Sequence, residues 1–116
     1  MAIIDAVKER TQGSGYVVAW EGMDVSDTGE PFSQYQAADR SVQVQGTFDG
    51  TAVVIEGSNS ADASVWFTLT DPQGNALSFS SAGGKAISEA VRHVRPRLSG
   101  GTSPDIDVYL FAQGRR

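Results

Sequence analysis

Apolar and polar residues alternate in several short runs of the chain, and this period of two is typical of β-strands. The clearest runs, residues 41–48 and 51–57, flank Asp49-Gly50. Because Asp-Gly suits a two-residue type I′ turn, the segment predicts a hairpin in which Val44 pairs with Ile55. Only one face of this hairpin is apolar, so one side should meet a core. The residues on that face are Val42, Val44, Phe48, Val53 and Ile55.

The other predicted strands are rich in β-branched and aromatic residues. Pro96 has no N–H to donate, so its strand is expected at a sheet edge or a bulge. Alternation sends Trp66 outward from its strand. The expected strands are residues 16–20, 64–69 with Val65, Phe67 and Leu69 inward, 76–80, 94–98, and 105–112 with Ile106, Val108, Leu110 and Ala112 inward.

Turns and helices complete the pattern. Asp71-Pro72-Gln73-Gly74 has the residue choices of a type I turn. Residues 1–14 place three apolar side chains on one helical face before a Gly-Ser-Gly stretch, which predicts a short helix or an arm. Residues 85–93 could form one or two helical turns. Together, the predicted strands and turns indicate an all-β single domain, a jelly-roll-like antiparallel sandwich of six to eight strands over residues 15–116.

Composition narrows the classes of partner. The net charge of −5 opposes binding to nucleic acid, and no apolar run approaches the roughly 20 residues of a membrane span. Asp5 interrupts the apolar N-terminal stretch, unlike a signal peptide, so we expect synthesis in the cytoplasm without a cleaved leader. Cysteine is absent, which excludes disulfides and thiolate metal sites.

Residues suited to catalysis are few. His93 is the only histidine, and we expect it on the surface or in a loop rather than in a catalytic relay. Asp24, Asp27 and Glu30 recur at three-residue spacing and could bind calcium, but they lack the pattern of an EF-hand, so solvated loop acids are favoured. The sequence therefore predicts neither a catalytic residue, nor a cofactor, nor a metal site, and no enzyme.

Apolar and aromatic side chains that do not fit the core pattern are candidate contact residues for a lattice or another subunit. Alternation points Tyr109 and Phe111 outward from the last strand. An apolar stripe on one sheet face would favour assembly. The candidates are Ile3, Ile4, Val7, Trp20, Phe32, Tyr35, Trp66, Tyr109 and Phe111.

The order of features over residues 41–112 resembles small virion proteins of tailed bacteriophages, described as head decoration, cement or minor structural proteins. The carrying residues are SVQVQGTFDGTAVVIEGSNSADASVWFTLTDPQGNALSFSSAG, then HVRPRLSGG and DVYLFA. The resemblance implies a sandwich on the outer capsid surface of a virion. It would bind the lattice of the major capsid protein, often as a dimer or trimer, and would clamp neighbouring capsomers.

Other functions stay open at this point. The same resemblance accommodates a fibre, a spike or a tail adaptor. A carbohydrate-binding sandwich module is an alternative from another class, in which Trp20, Trp66 and Tyr35 would stack on sugars and the acidic loop would hold calcium.

Overall fold

The computed structural model describes residues 2–10, 15–33 and 37–114. All regular structure in these ranges is β. The strands are β1 (Ile3–Ile4), β2 (Val7–Arg10), β3 (Gly15–Met23), β4 (Thr28–Gly29), β5 (Phe32–Ser33), β6 (Ala37–Thr47), β7 (Ala52–Ser58), β8 (Phe67–Thr68), β9 (Ser78–Phe79), β10 (Gly83–Ala86), β11 (His93–Ser99) and β12 (Asp105–Gly114).

Two sheets form a sandwich. The seven-stranded sheet has the order β1-β4-β11-β7-β8, with β5 beside β11 and β9 beside β7. The five-stranded sheet has the order β10-β6-β12-β3-β2. Strand pairs are antiparallel except β1 and β4, which run parallel. The predicted all-β, jelly-roll-like sandwich is confirmed.

The core lies between the sheets and follows the predicted alternation. On β12 every second side chain is fully buried. This strand pairs with β6 on one side and β3 on the other, so it lies in the middle of its sheet and its inner face meets the core. The fully buried residues of β12 are Ile106, Val108, Leu110 and Ala112, all at 0% exposure.

The Asp49-Gly50 turn forms as predicted, but the hairpin does not. Asp49 and Gly50 have φ of 48° and 83°, and the Thr51 amide donates to the Phe48 carbonyl at 2.9 Å. The flanking strands then enter opposite sheets, since β6 pairs with β10 and β12 while β7 pairs with β8, β9 and β11. The apolar faces of β6 and β7 therefore oppose one another across the core instead of lying side by side.

Neither predicted helix is present among the described residues. The N-terminal segment forms β1 and β2, although residues 11–14 lie outside the described ranges. In residues 85–93, Lys85 and Ala86 belong to β10, and the chain then continues without regular structure to β11. The Ile87 amide donates to the Arg40 carbonyl at 3.0 Å, and the Ser88 amide donates to the Thr70 carbonyl. Backbone carbonyls on other segments of the chain thus replace the hydrogen bonds of a helix.

Residues 64–69 depart from the predicted alternation. Leu69 is fully buried, but Val65 is 70% and Phe67 is 44% exposed. The strand here spans only Phe67 and Thr68, and the Val65 amide instead donates to the Ser60 hydroxyl within a turn. A period of two requires continuous strand, so it does not extend to Val65.

Pro96 lies in an interior strand, which corrects the expected edge position. Strand β11 pairs with β7 along its whole length and with β5 and β4 on its other side. On that other side, His93 and Val94 pair with β5 and Arg97 pairs with β4, and Pro96 lies in the gap between them. No hydrogen bond between strands therefore requires the N–H that proline lacks. The predicted turn at Asp71 is present, with the Gly74 amide donating to the Asp71 carbonyl at 2.9 Å.

Candidate functional site

An apolar stripe crosses the outer face of the five-stranded sheet. One row of the register joins Val7, Ala19 and Tyr109, and the next joins Val17 to Phe111. Val7 is 59% and Phe111 is 36% exposed, and the other three side chains are half-buried. The fold thus brings together three of the predicted contact residues, Val7, Tyr109 and Phe111.

Three carboxylates lie at one end of this stripe, and we call them the acidic end: Glu21, Asp105 and Asp107. The Tyr109 hydroxyl donates to Glu21 Oε2 at 3.0 Å, and the Gly22 amide donates to Asp107 Oδ1 at 2.9 Å. The hydrogen bond to Glu21, with burial and the nearby charges, raises the pKa of Tyr109. Glu21 and Asp105 are exposed.

The first residues of the chain are held on the sandwich by two acidic side chains. The Ala2 amide donates to Asp27 Oδ1 at 3.0 Å, and the Ala6 amide donates to Glu30 Oε1 at 2.9 Å. Strand β1 joins the seven-stranded sheet and β2 joins the five-stranded sheet, so together they form one lateral edge of the sandwich. We call this the N-terminal edge. Ile3 there is 73% exposed, while Ile4 is half-buried against the core.

These bonds correct the interpretation of the loop acids. Asp27 is only 6% exposed and also accepts from the Asp24 amide at 2.8 Å, so it is not a solvated loop acid. Its oxygens, like Glu30 Oε1, face backbone donors, which leaves them poorly placed for calcium. Among the described residues no group of three or more potential metal ligands comes together.

The outer face of the seven-stranded sheet carries a basic cluster of Glu56, Trp66, Arg95 and Arg97. Arg95 Nε donates to Glu56 Oε1 at 3.1 Å, and Arg97 Nε donates to Glu56 Oε2 at 2.9 Å. The Arg95 guanidinium lies over the Trp66 ring, with Cζ 4.0 Å from the ring centroid. The side chains of Arg95 and Arg97 are 22% and 39% exposed. Each arginine donates to Glu56 through its Nε, so the two guanidinium groups share one carboxylate.

His93 is a structural residue, contrary to the expected surface position. It is 7% exposed, and its Nε2 lies 3.0 Å from the Ser60 carbonyl. A carbonyl can only accept, so Nε2 carries the proton, and Nδ1 accepts from the Ser33 hydroxyl at 2.7 Å. Ser33 and His93 are also direct cross-strand neighbours. The histidine thus joins β5, β11 and the Ser60 turn.

Trp20 is the clearest correction among the candidate contact residues. Its ring is 1% exposed within the core, and Nε1 donates to the Glu30 carbonyl at 2.9 Å. It therefore offers no surface to a partner. Phe32 is half-buried and meets Tyr16 edge to face at 5.7 Å. Tyr35 lies outside the described residues.

The proposed sugar-stacking platform is not assembled by the described residues. Trp20 is buried, and Arg95 covers one face of the half-buried Trp66 ring. The sequence prediction also did not name Val17 and Ala19 of the stripe, or the arginine pair of the basic cluster, as contact residues. The alternating arginines of HVRPRL were the available signal, since side chains two apart on a strand share a face.

Within residues 2–10, 15–33 and 37–114, no helix is long and apolar enough to cross a membrane.

Comparison with known proteins identifies the fold. No protein-family model matches the chain, and no curated protein matches its sequence. The solved structure of SPBc2 prophage-derived protein YomS matches with a TM-score of 0.64 and 10% identity, covering 90% of this chain and 98% of that chain. A cupin domain from Bordetella pertussis gives a TM-score of 0.47 and 10% identity, covering 100% and 99%. The chain is thus similar in fold to a prophage-derived protein, YomS.

Proposed function

We propose that this protein is a virion structural protein of a tailed bacteriophage that decorates the capsid and stabilises it by binding the lattice of the major capsid protein. The observation that carries the proposal is the N-terminal edge. It holds exposed Ile3 and Val7 on backbone that is bonded to both sheets. Large apolar side chains on a held strand are a prepared contact surface, because little conformational entropy is lost when they bind.

The energetics suit many weak contacts on a repeating lattice. Full burial of an Ile or Val side chain contributes about 1.5–3 kcal/mol. A ligand that binds only the assembled shell stabilises that shell by the free energy of its own binding. Many copies, each contributing a few kcal/mol, would therefore strengthen the shell without any catalytic residue.

Two further observations support the proposal. Residues 41–112 resemble decoration and cement proteins in the order of their motifs. Independently, YomS, whose fold this chain shares, is described as prophage-derived. A non-catalytic role also agrees with His93 and the loop acids, which bind backbone and neighbouring hydroxyl groups.

The proposal is tested by cosedimentation of the purified protein with mature and immature shells of the source phage. We expect stoichiometric pelleting with the mature shell. Ile3→Ser and Val7→Ser should each weaken binding about tenfold, which corresponds to roughly 1.4 kcal/mol. Val65→Ser is the matched control, because Val65 is 70% exposed but lies away from the N-terminal edge. Absence of pelleting with either shell would overturn the decoration role and direct attention to tail structures.

A further inference from the structure

We propose that copies of this chain associate head to tail, with the basic cluster of one copy packed on the acidic end of the next. The two surfaces lie on the outer faces of different sheets, so each copy offers one of each. The inference does not depend on binding to a capsid.

Charge complementarity points to a second copy of the chain as the partner of the basic cluster. Arg95 and Arg97 share the single carboxylate of Glu56, which leaves a formal charge of +1 on that cluster. The acidic end, with Glu21, Asp105 and Asp107, carries three carboxylates and, among the described outward-facing residues of β3, β6 and β12, no cation. In a chain with net charge −5, a positive patch attracts an acidic surface, and the chain itself provides one.

The spacing of the charges also matches. Arg95 and Arg97 are two residues apart on β11, and Asp105 and Asp107 are two residues apart on β12. Alternate side chains on a strand are about 6.6 Å apart and point to the same face. Two guanidinium groups can therefore meet two carboxylates when the outer faces of the two sheets lie against each other.

The two arginines are arranged to bind the carboxylates of such a partner. Both use Nε for Glu56, so each guanidinium still has Nη groups beyond that bond. Stacking on Trp66 holds the Arg95 guanidinium in one plane and leaves its edge available for in-plane hydrogen bonds. Preorganised donors of this kind lose little freedom when a carboxylate binds.

Apolar side chains flank both charged groups and would be buried with them. Trp66, half-buried, lies against the Arg95 guanidinium within the basic cluster. On the other face, Tyr109 and Phe111 continue along β12 from the acidic end. An aromatic contact beside a charge pair excludes water from it and strengthens the electrostatic attraction.

The two surfaces differ, so the contact is heterologous. Such contacts generate a closed ring when the rotation closes and a filament when it does not. The N-terminal edge, at the side of the sandwich, is left available for a different partner.

The test is the sedimentation behaviour of the purified chain in low salt. We expect wild type to associate, with association weakened by added salt. Arg97→Gln and Asp105→Lys should each weaken association about tenfold or more. Asp62→Lys is the matched control, because it reverses an exposed carboxylate whose partner, Ser64, is local. Thermal unfolding of each variant checks that the sandwich is intact.

Mixing the two weakened variants gives the sharpest result. Arg97→Gln keeps an intact acidic end, and Asp105→Lys keeps an intact basic cluster, so an equimolar mixture should form a 1:1 dimer that does not grow. A wild type that stays monomeric to about 1 mM, or association that both variants leave unchanged, would overturn the proposal.

Discussion

Replacement of Asp27 by alanine tests whether the N-terminal edge is held by a buried carboxylate. Asp27 is 6% exposed and accepts two backbone amides, from Ala2 at 3.0 Å and Asp24 at 2.8 Å. Hydrogen bonds to a charged group contribute about 1.5–3 kcal/mol each, or roughly 3–6 kcal/mol for two. Water can reach part of both amides in the variant, so about half should be lost. We expect destabilisation by about 2–3 kcal/mol.

Thermal unfolding followed by circular dichroism measures this loss. For a domain of this size 1 kcal/mol corresponds to about 4 °C, so Tm should fall by about 8–12 °C. Hydrogen exchange at the Glu30 amide, which donates to the Ile4 carbonyl at 2.7 Å, should also accelerate because β1 is released. Binding through Ile3 should weaken with it.

Asp24→Ala is the control within the same loop. The Asp24 side chain is exposed, and among the described residues it accepts only a local hydrogen bond, from the Val25 amide at 2.7 Å. We expect a change within about 1 kcal/mol, typical of a local loop contact. If Asp27→Ala unfolds within about 2 °C of wild type, the buried carboxylate does not hold the edge and the reasoning fails.

Gly46→Ala should lower the free energy of unfolding, measured by urea titration, by about 3 kcal/mol or more. Gly46 has φ of 121°, and an added Cβ would collide with the Asp105 carbonyl. A smaller loss would contradict this clash. Arg40→Met should leave Tm unchanged or raise it. Arg40 is 5% exposed, and its Nε and Nη1 have no hydrogen-bond partner among the described residues. A clear drop in Tm would show that Arg40 makes a favourable contact and would contradict the prediction. The Asn75 amide, opposed by burial, holds the pKa of Asp71 below its ordinary 3.8, so this carboxylate stabilises the fold above that pH and the contribution is lost as pH falls below it. The Tm advantage of wild type over Asp71→Asn should therefore be present at neutral pH and shrink in acid, and a difference independent of pH would refute the linkage.

Local chemistry could be predicted from the sequence, whereas strand partners could not. Asp49-Gly50 adopts the predicted turn conformation, because positive φ at those residues depends only on the residues themselves. Which strand lies beside β6 depends on β12, some sixty residues away, and local alternation carries no information about it. For this reason the buried faces of β6 and β7 were predicted correctly, whereas their pairing in a hairpin was wrong.

The candidate site shows the same division. Outward Tyr109 and Phe111 followed from alternation on a continuous strand. The burial of Trp20 was missed, because its ring packs against Gly29 at the point where the ring of Pro96, distant in sequence, also packs. His93 lies between two basic residues, which predicts exposure, but cross-strand pairing with Ser33 places it in a hydrogen-bonded position.

The position of β12 has a consequence for how the chain folds. This strand, the last along the chain among those described, lies between β3 and β6. Until residues 105–114 have left the ribosome, β3 and β6 each lack a partner on one side, and the five-stranded sheet is divided into two pairs of strands. Such late, long-range closure makes folding slow and all-or-none, so a growing chain carries open strand edges that can join another copy. Rapid synthesis at high concentration should therefore favour aggregation of unfinished chains, and slower synthesis should raise the yield of folded protein.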